Sequence, residues 1–113
     1  MGLYYKSTRN SNLKVTASEA ILKGLAPDGG LFVPSELPKL DVTMSDLKGK
    51  TYQEIAYLVM KQFLTDFTEE ELKNCIDKAY DSKFDTEEIA PLVKVDDTYY
   101  MELFHGATIA FKD

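Results

Sequence analysis

The sequence predicts a mixed α/β fold, a small domain in which an amphipathic helix pair and short helices pack on a few β-strands. Three observations predict this fold class. A threonine followed three residues later by an acidic residue, the pattern of a helix-capping box, occurs four times in the first 71 residues. Apolar residues recur at helical spacing after two of these boxes. Short β-prone runs, bounded by turn-forming residues, supply the strands.

The first part of the chain predicts a strand followed by a short helix. Residues 4–9 are aromatic and β-prone, and the turn-forming residues 10–12 end that strand. Thr16 and Glu19 form the capping box of the helix, and Gly24 is suited to the left-handed conformation that ends it. We therefore expect one strand and one helix in this region.

A turn signal separates this region from the next. Residues 27–30, Pro-Asp-Gly-Gly, predict a turn, and residues 31–33 predict a short extended segment that stops at Pro34. The following stretch, residues 35–50, contains a proline near its start and then a capping box at positions 43 and 46. It therefore leaves space for at most one helical turn.

Two amphipathic helices are the clearest structural signal in the chain. The first begins at the box formed by Thr51 and Glu54, and the second at the box formed by Thr68 and Glu71. Their apolar residues, spaced by three and four, are Tyr52, Ile55, Ala56, Val59, Met60, Phe63, Leu64 and Phe67, and then Leu72, Cys75, Ile76, Ala79 and Tyr80. Because the link is short, we expect an antiparallel pair whose apolar faces, including Cys75, are buried in the core.

The composition changes near Pro91, from acidic helix to apolar strands. Residues 92–95 and 99–103 predict two strands that are joined by a polar turn at residues 96–98. Pro91 is therefore the expected boundary between an N-terminal domain, residues 1–91, and a second part, residues 92–113.

Composition excludes several classes of function. The chain has 113 residues, of which 44% are hydrophobic and 28% are charged, as is typical of a folded globular protein. Its net charge of −6 does not suit a nucleic-acid surface, and no apolar run approaches the roughly 20 residues that span a membrane. One cysteine fits a reducing compartment, so we expect a cytoplasmic protein. One histidine and one cysteine predict no metal site.

Lys112 is the candidate reactive residue. A lysine amine must lose its proton to attack an aldehyde, and burial among apolar neighbours lowers its pKa from about 10.4. The pair Ala110 and Phe111 offers such neighbours, and Gly106 allows backbone to approach a ligand closely. On these residues alone, a solvated lysine is the more common arrangement. His105 either orients a substrate or is a hydrogen-bonded structural residue.

Three segments, taken in order, carry a family resemblance. They are Tyr-Lys-Ser-Thr-Arg at residues 5–9, Gly-Leu-Ala-Pro-Asp-Gly-Gly-Leu-Phe-Val-Pro at residues 24–34, and Glu-Leu-Phe-His-Gly-Ala-Thr-Ile-Ala-Phe-Lys-Asp at residues 102–113. They resemble the threonine synthase family, a set of pyridoxal-phosphate enzymes of the tryptophan-synthase-β type. The sequence departs from the family pattern at Ala107, where proline is usual, and at Asn10, where glycine is frequent.

The resemblance implies an activity, a cofactor and a set of site residues. The family converts O-phospho-L-homoserine and water into L-threonine and phosphate, as a carbon–oxygen lyase that depends on pyridoxal 5'-phosphate. Lys112 would hold this cofactor as a Schiff base and then act as general acid and base. His105, Gly106 and Thr108 would line the substrate pocket.

The resemblance also implies that residues 92–113 are only the first strands of the family's catalytic body. The glycine-rich phosphate loop and the partner of the cofactor ring nitrogen lie further along in that family. We therefore expect the 113-residue chain to be a catalytically incomplete fragment that does not hold pyridoxal phosphate. Two alternatives remain open, namely a related phospho-amino-acid lyase of the same fold and a stand-alone, non-enzymatic interaction domain. The oligomeric state also remains open.

Overall fold

The computed structural model describes residues 2–113, and its helices and strands confirm the predicted mixed fold class. The strands form a three-stranded and a two-stranded sheet, both antiparallel. In chain order the elements are β1 (Tyr5–Ser7), β2 (Lys14–Val15), α1 (Ala17–Lys23), β3 (Phe32–Pro34), α2 (Met44–Leu47), α3 (Tyr52–Phe63), α4 (Glu69–Ala79), β4 (Leu92–Val95) and β5 (Thr98–Met101). Within residues 2–113, no helix has the length and apolar character that a membrane crossing requires.

The first sheet has the strand order β2-β1-β3, so the predicted opening strand lies at its centre. Tyr5 pairs with Val15 on one side and with Pro34 on the other. The sequence did not predict β2, because two residues are too few to show an alternating pattern. β3 ends at Pro34, which is its last residue and lies on an edge strand, where a residue without an N–H donor is tolerated.

The four helices within residues 2–113 each begin at a predicted capping box. In each, the threonine side chain accepts a hydrogen bond from the backbone N–H of the third helical residue. The acidic side chain of that residue accepts one in return from the threonine N–H. Gly24 caps the C-terminus of α1, and its φ of 73° is a conformation that glycine adopts without steric cost.

The predicted pair of helices, α3 and α4, pack against each other in an antiparallel arrangement. The start of α3 meets the residue that follows α4: the rings of Tyr52 and Tyr80 pack edge to face, with 4.9 Å between their centroids. The side-chain amide of Gln53 also donates a hydrogen bond to the Tyr80 carbonyl at 2.5 Å. A five-residue link, residues 64–68, is sufficient to reverse the chain.

The core of this helix pair is smaller than the sequence predicts. Leu72 and Ile76 are only 3% exposed, but Cys75 and Ala79 on the same helix are exposed, so the expectation that Cys75 is buried was wrong. None of the apolar residues of α3 is fully buried. Each of these two helices packs mainly against the other, so only a narrow strip of each apolar face is buried.

β4 and β5 form the predicted hairpin, with Val93 opposite Tyr100. Its two-residue turn contains Asp96, whose φ of 53° lies in the left-handed region that aspartate tolerates better than most residues. Every residue of both strands is exposed, although most of them are apolar. The hairpin therefore presents apolar side chains on both of its faces.

Candidate active-site segment around Lys112

Residues 102–113, which we call the lysine segment, leave the hairpin and fold into two consecutive turns. The N–H of Ile109 donates to the Gly106 carbonyl at 3.1 Å, and the N–H of Asp113 donates to the Ala110 carbonyl at 3.2 Å. Lys112 lies in the second turn. The segment contains no strand, so the predicted strand at 99–103 ends earlier, at Met101.

The Asp113 carboxylate holds the two turns together. One of its oxygens, Oδ2, accepts a hydrogen bond from the backbone N–H of Thr108 at 2.8 Å, and the other accepts one from the Thr108 hydroxyl. These bonds favour the charged carboxylate and, with the Thr108 hydroxyl contributing most, they lower the pKa of Asp113 below its ordinary value. Asp113, which the sequence left without a role, is therefore the residue that closes the segment.

The position of the Asp113 side chain requires a glycine at residue 106. It is buried, and a Cβ atom at its position would lie 2.6 Å from both the Cβ and the Oδ2 atoms of Asp113. Ile109 in the same turn has a φ of 61°, a left-handed conformation that a β-branched residue seldom adopts. Gly106 and Thr108 therefore lie together around Asp113, and their place in a substrate pocket stays a prediction.

Lys112 itself is exposed to solvent. Its apolar neighbours do not enclose it, because Phe111 is 82% exposed and Ile109 is 74% exposed. The reactive interpretation required burial of the amine among apolar neighbours such as Ala110 and Phe111, and within residues 2–113 that burial is missing. Residues 2–113 do not shield the Lys112 amine from water, so any such shielding must come from atoms outside them.

His105 lies between two carboxylates. Its Nε2 atom is 2.9 Å from Glu102 Oε1, and its Nδ1 atom is in hydrogen-bond contact with Asp85 Oδ1. Its side chain is only 11% exposed, and its ring packs on Phe104 with 4.4 Å between the ring centroids. The hydrogen bond to Glu102, followed by that to Asp85, raises the pKa of the imidazole above its ordinary value.

Of the groups that a site for an aldehyde cofactor needs, the lysine segment offers one, the amine that would bond to the aldehyde. An exposed primary amine on a closed turn suits a covalent anchor for the aldehyde. The Thr108 hydroxyl and the His105 imidazole are already bonded to carboxylates of this chain. Within residues 2–113, no Gly-x-Gly-x-x-Gly loop offers a phosphate cradle and no cluster of His, Cys, Asp and Glu suits a metal ion.

Three partners of the predicted site residues were missed from the sequence. Glu102 precedes His105 by three residues, a spacing at which side chains can meet, so the sequence carried a weak indication of this contact. Asp113 adjoins Lys112, so its presence near the site was also weakly indicated. Asp85 is 20 residues away from His105 along the chain and was not indicated. The contact between Asp85 and His105 depends on the path of the loop after α4, which brings Asp85 next to His105.

Comparison with known proteins gives consistent matches. The family model described as threonine synthase N terminus matches residues 4–80. The chain is 42% identical to threonine synthase of Schizosaccharomyces pombe, with 96% of this chain and 22% of the relative covered. It is 37% identical to the Saccharomyces cerevisiae enzyme, with 96% of this chain and 23% of that protein covered.

Solved structures match over nearly the whole chain. A threonine synthase from Brucella melitensis, whose crystal structure contains bound pyridoxal phosphate, superposes with a TM-score of 0.84 at 35% identity, covering 98% of this chain and 24% of that one. Yeast threonine synthase superposes with a TM-score of 0.82 at 36% identity, covering 96% of this chain and 23% of that one. This chain thus spans about a quarter of the length of the relatives that it matches.

Proposed function

Because this chain belongs to the threonine synthase N-terminal family, we propose that it is the N-terminal portion of a threonine synthase and that Lys112 is the cofactor-binding lysine of that enzyme. The observation that carries this proposal is the position of Lys112, whose exposed side chain projects from a turn closed by Asp113. The similarity to threonine synthases covers 96% of the chain.

The proposed reaction converts O-phospho-L-homoserine and water into L-threonine and phosphate, with pyridoxal 5'-phosphate as cofactor. Bound pyridoxal phosphate would supply an electron-withdrawing ring that takes up the negative charge developing on the substrate carbon. The Brucella relative with bound pyridoxal phosphate supports this choice of cofactor. The proposed place of this activity is the cytoplasm, in keeping with the single cysteine.

Lys112 Nζ would hold the cofactor covalently and, when released, would carry protons as general base and general acid. For this role the amine has to be both accessible and fixed. The Asp113 carboxylate fixes the preceding backbone through Thr108, and no ion pair within residues 2–113 occupies the Lys112 amine. Asp113 is thus a positioning residue in this proposal.

His105, Gly106 and Thr108 are proposed to form one wall of the substrate pocket. Thr108 and Gly106 lie next to each other around Asp113, and His105 directly precedes them. The side-chain bonds of Thr108 and His105 to carboxylates indicate that they shape this wall and leave the chemistry to Lys112.

Residues 92–113 are proposed to join the catalytic body that follows, whereas residues 1–91 form a separate N-terminal domain. Both faces of the β4–β5 hairpin are apolar and exposed, a pattern typical of strands that are covered on both sides in α/β enzymes. Tyr100, on one face, is 55% exposed, and Met101, on the other, is 60% exposed. The remaining three quarters of the enzyme would cover them.

The exposed hairpin also favours a second candidate function, a stand-alone interaction domain that pairs its free strand edge with a partner. A reading frame that ends after Asp113 favours the interaction domain. A frame that continues for several hundred residues favours the enzyme. If the protein is an enzyme, activity assays with O-phospho-L-homoserine and with related phospho-amino acids show which of them is its substrate.

The test uses the protein encoded by the complete reading frame, mixed with pyridoxal phosphate. We expect the absorbance that marks the lysine–cofactor bond, and we expect Lys112→Ala to abolish it and to lower kcat by at least about a hundredfold. The matched control is Lys39→Ala, which removes another exposed lysine and leaves both properties unchanged.

Unchanged absorbance in Lys112→Ala contradicts the assignment of this lysine. The 113-residue chain alone supplies a linked check, because it lacks a phosphate cradle among residues 2–113 and is expected to bind pyridoxal phosphate no more tightly than an ordinary exposed lysine does. Saturable, tight binding by that chain contradicts the proposed division of the site.

A further inference from the structure

His105 joins the lysine segment to residues 80–91, which we call the linking loop because they connect α4 to β4. The N–H of Asp85 in this loop donates to the His105 carbonyl at 3.1 Å, and the side chains of the two residues are also in contact. Glu102 lies on the opposite side of the imidazole and its backbone N–H donates to the Pro91 carbonyl at 2.9 Å. His105 therefore contacts the linking loop through both its backbone carbonyl and its side chain, and the backbone bond from Glu102 to Pro91 joins the same two segments.

The protonation state of His105 follows from this geometry. A neutral imidazole has one N–H donor, and its other nitrogen can only accept a hydrogen bond. Each nitrogen of His105 faces a carboxylate oxygen, which also accepts. Only an imidazolium, with two N–H donors, satisfies both contacts when the two carboxylates are charged.

The cluster does not resemble a metal site. The carboxylates of Asp85 and Glu102 approach different nitrogens of the ring, on different edges, so the three side chains do not converge on one point. Within the described residues, 2–113, no group of three such side chains is arranged to hold a metal ion. The cluster therefore functions as a contact within the protein.

We propose that His105 is a positioning residue, an imidazolium held between Asp85 and Glu102 that fixes the lysine segment to the linking loop. The proposal rests on the proposed function, because it is Lys112 that His105 would position. His105 directly precedes Gly106, where the turns around Asp113 begin, so fixing His105 fixes the start of the lysine segment. In this role His105 does not need to touch the substrate.

The proposal makes the arrangement dependent on pH. The groups that face the imidazole are Asp85 from the linking loop, Glu102 from the lysine segment and the uncharged ring of Phe104. Both charged groups are anionic, and they raise the pKa of His105 above 6.5 in the folded protein. Its stabilising contribution is therefore complete below the unfolded pKa of about 6.5 and is lost as the pH rises through the higher folded pKa.

Nuclear magnetic resonance of the 113-residue chain tests this directly, because its single histidine gives imidazole signals that need no assignment. We expect a titration midpoint above 6.5 and, below that midpoint, nitrogen shifts of a doubly protonated ring. The double variant Asp85→Asn/Glu102→Gln keeps the side-chain shapes, removes both negative charges and should lower the midpoint. The control Glu87→Gln removes an exposed carboxylate of the same linking loop and should leave the titration midpoint of His105 unchanged.

Positioning has its own readout in the same spectra. The backbone amide signals of residues 106–113 should shift with the His105 midpoint in the wild type and should not do so in the double variant. A midpoint at the ordinary value, an equal shift in Glu87→Gln, or amides of residues 106–113 that ignore the titration would each overturn the proposal. Since no cofactor or substrate is used, these outcomes are independent of whether Lys112 binds pyridoxal phosphate.

Discussion

The space at Gly106 is set by the Asp113 side chain, which lies where a Cβ atom would be. A methyl group 2.6 Å from Asp113 Cβ cannot be accommodated unless the carboxylate withdraws from Thr108. The residue that the sequence marked as a flexible point of approach to a ligand is therefore also a packing requirement of the turn.

Gly106→Ala is expected to open the lysine segment while leaving the rest of the fold in place. Over-packing of this kind costs about 1 to 3 kcal/mol, so hydrogen exchange of the Thr108 N–H, which donates to Asp113, should become about tenfold faster or more. Ala107→Ser, at the exposed neighbouring position, serves as the control and should leave exchange unchanged. Equal exchange in Gly106→Ala and wild type would mean that Asp113 does not close the turn.

At the scale of single residues, local sequence placed several candidate site residues in one short segment, and their role in a site stays a prediction. Lys112, Gly106 and Thr108 lie in one motif, and their proximity follows from short sequence separation. The contact of Asp85 with His105 was not predictable, because it depends on the path of the linking loop and not on any periodic signal. The exposure of Lys112 agrees with the solvated arrangement that these residues alone favoured, and it lacks the apolar setting that the reactive interpretation needs.

At the scale of elements, the strongest predictions came from capping. The four threonine boxes set the starts of all four helices because each satisfies backbone N–H groups that would otherwise lack partners. Burial was predicted less well. Helical spacing put Cys75 and Ile76 on one apolar face, but the narrow contact between α3 and α4 buries only Ile76 of the two.

Paired substitutions on α4 test this difference. Ile76, which is 3% exposed, should cost about 2 to 5 kcal/mol of unfolding free energy when changed to alanine, since a cavity is left in the core. Cys75→Ala, at the adjacent exposed position, should change it by about 0.5 kcal/mol or less. Chemical denaturation of the two variants measures both values, and a large loss in Cys75→Ala would restore the predicted burial of that residue.

At the scale of the whole molecule, the chain is elongated. Its radius of gyration is 16.4 Å, whereas a compact domain of this length has a value of about 13 Å. Its extents of 48 × 29 × 28 Å and its exposed apolar hairpin leave much apolar surface in contact with water. An N-terminal portion that packs against a larger catalytic body would have this shape and surface.

At this scale, the proposal that Lys112 binds the cofactor is tested on the whole enzyme. The most direct measurement uses the protein of the complete reading frame with pyridoxal phosphate, reduces the lysine–cofactor bond with borohydride and maps the labelled peptide by mass spectrometry. We predict a single label, on Lys112. A label on another lysine, or no label on a protein that folds and carries the whole frame, would contradict the assignment.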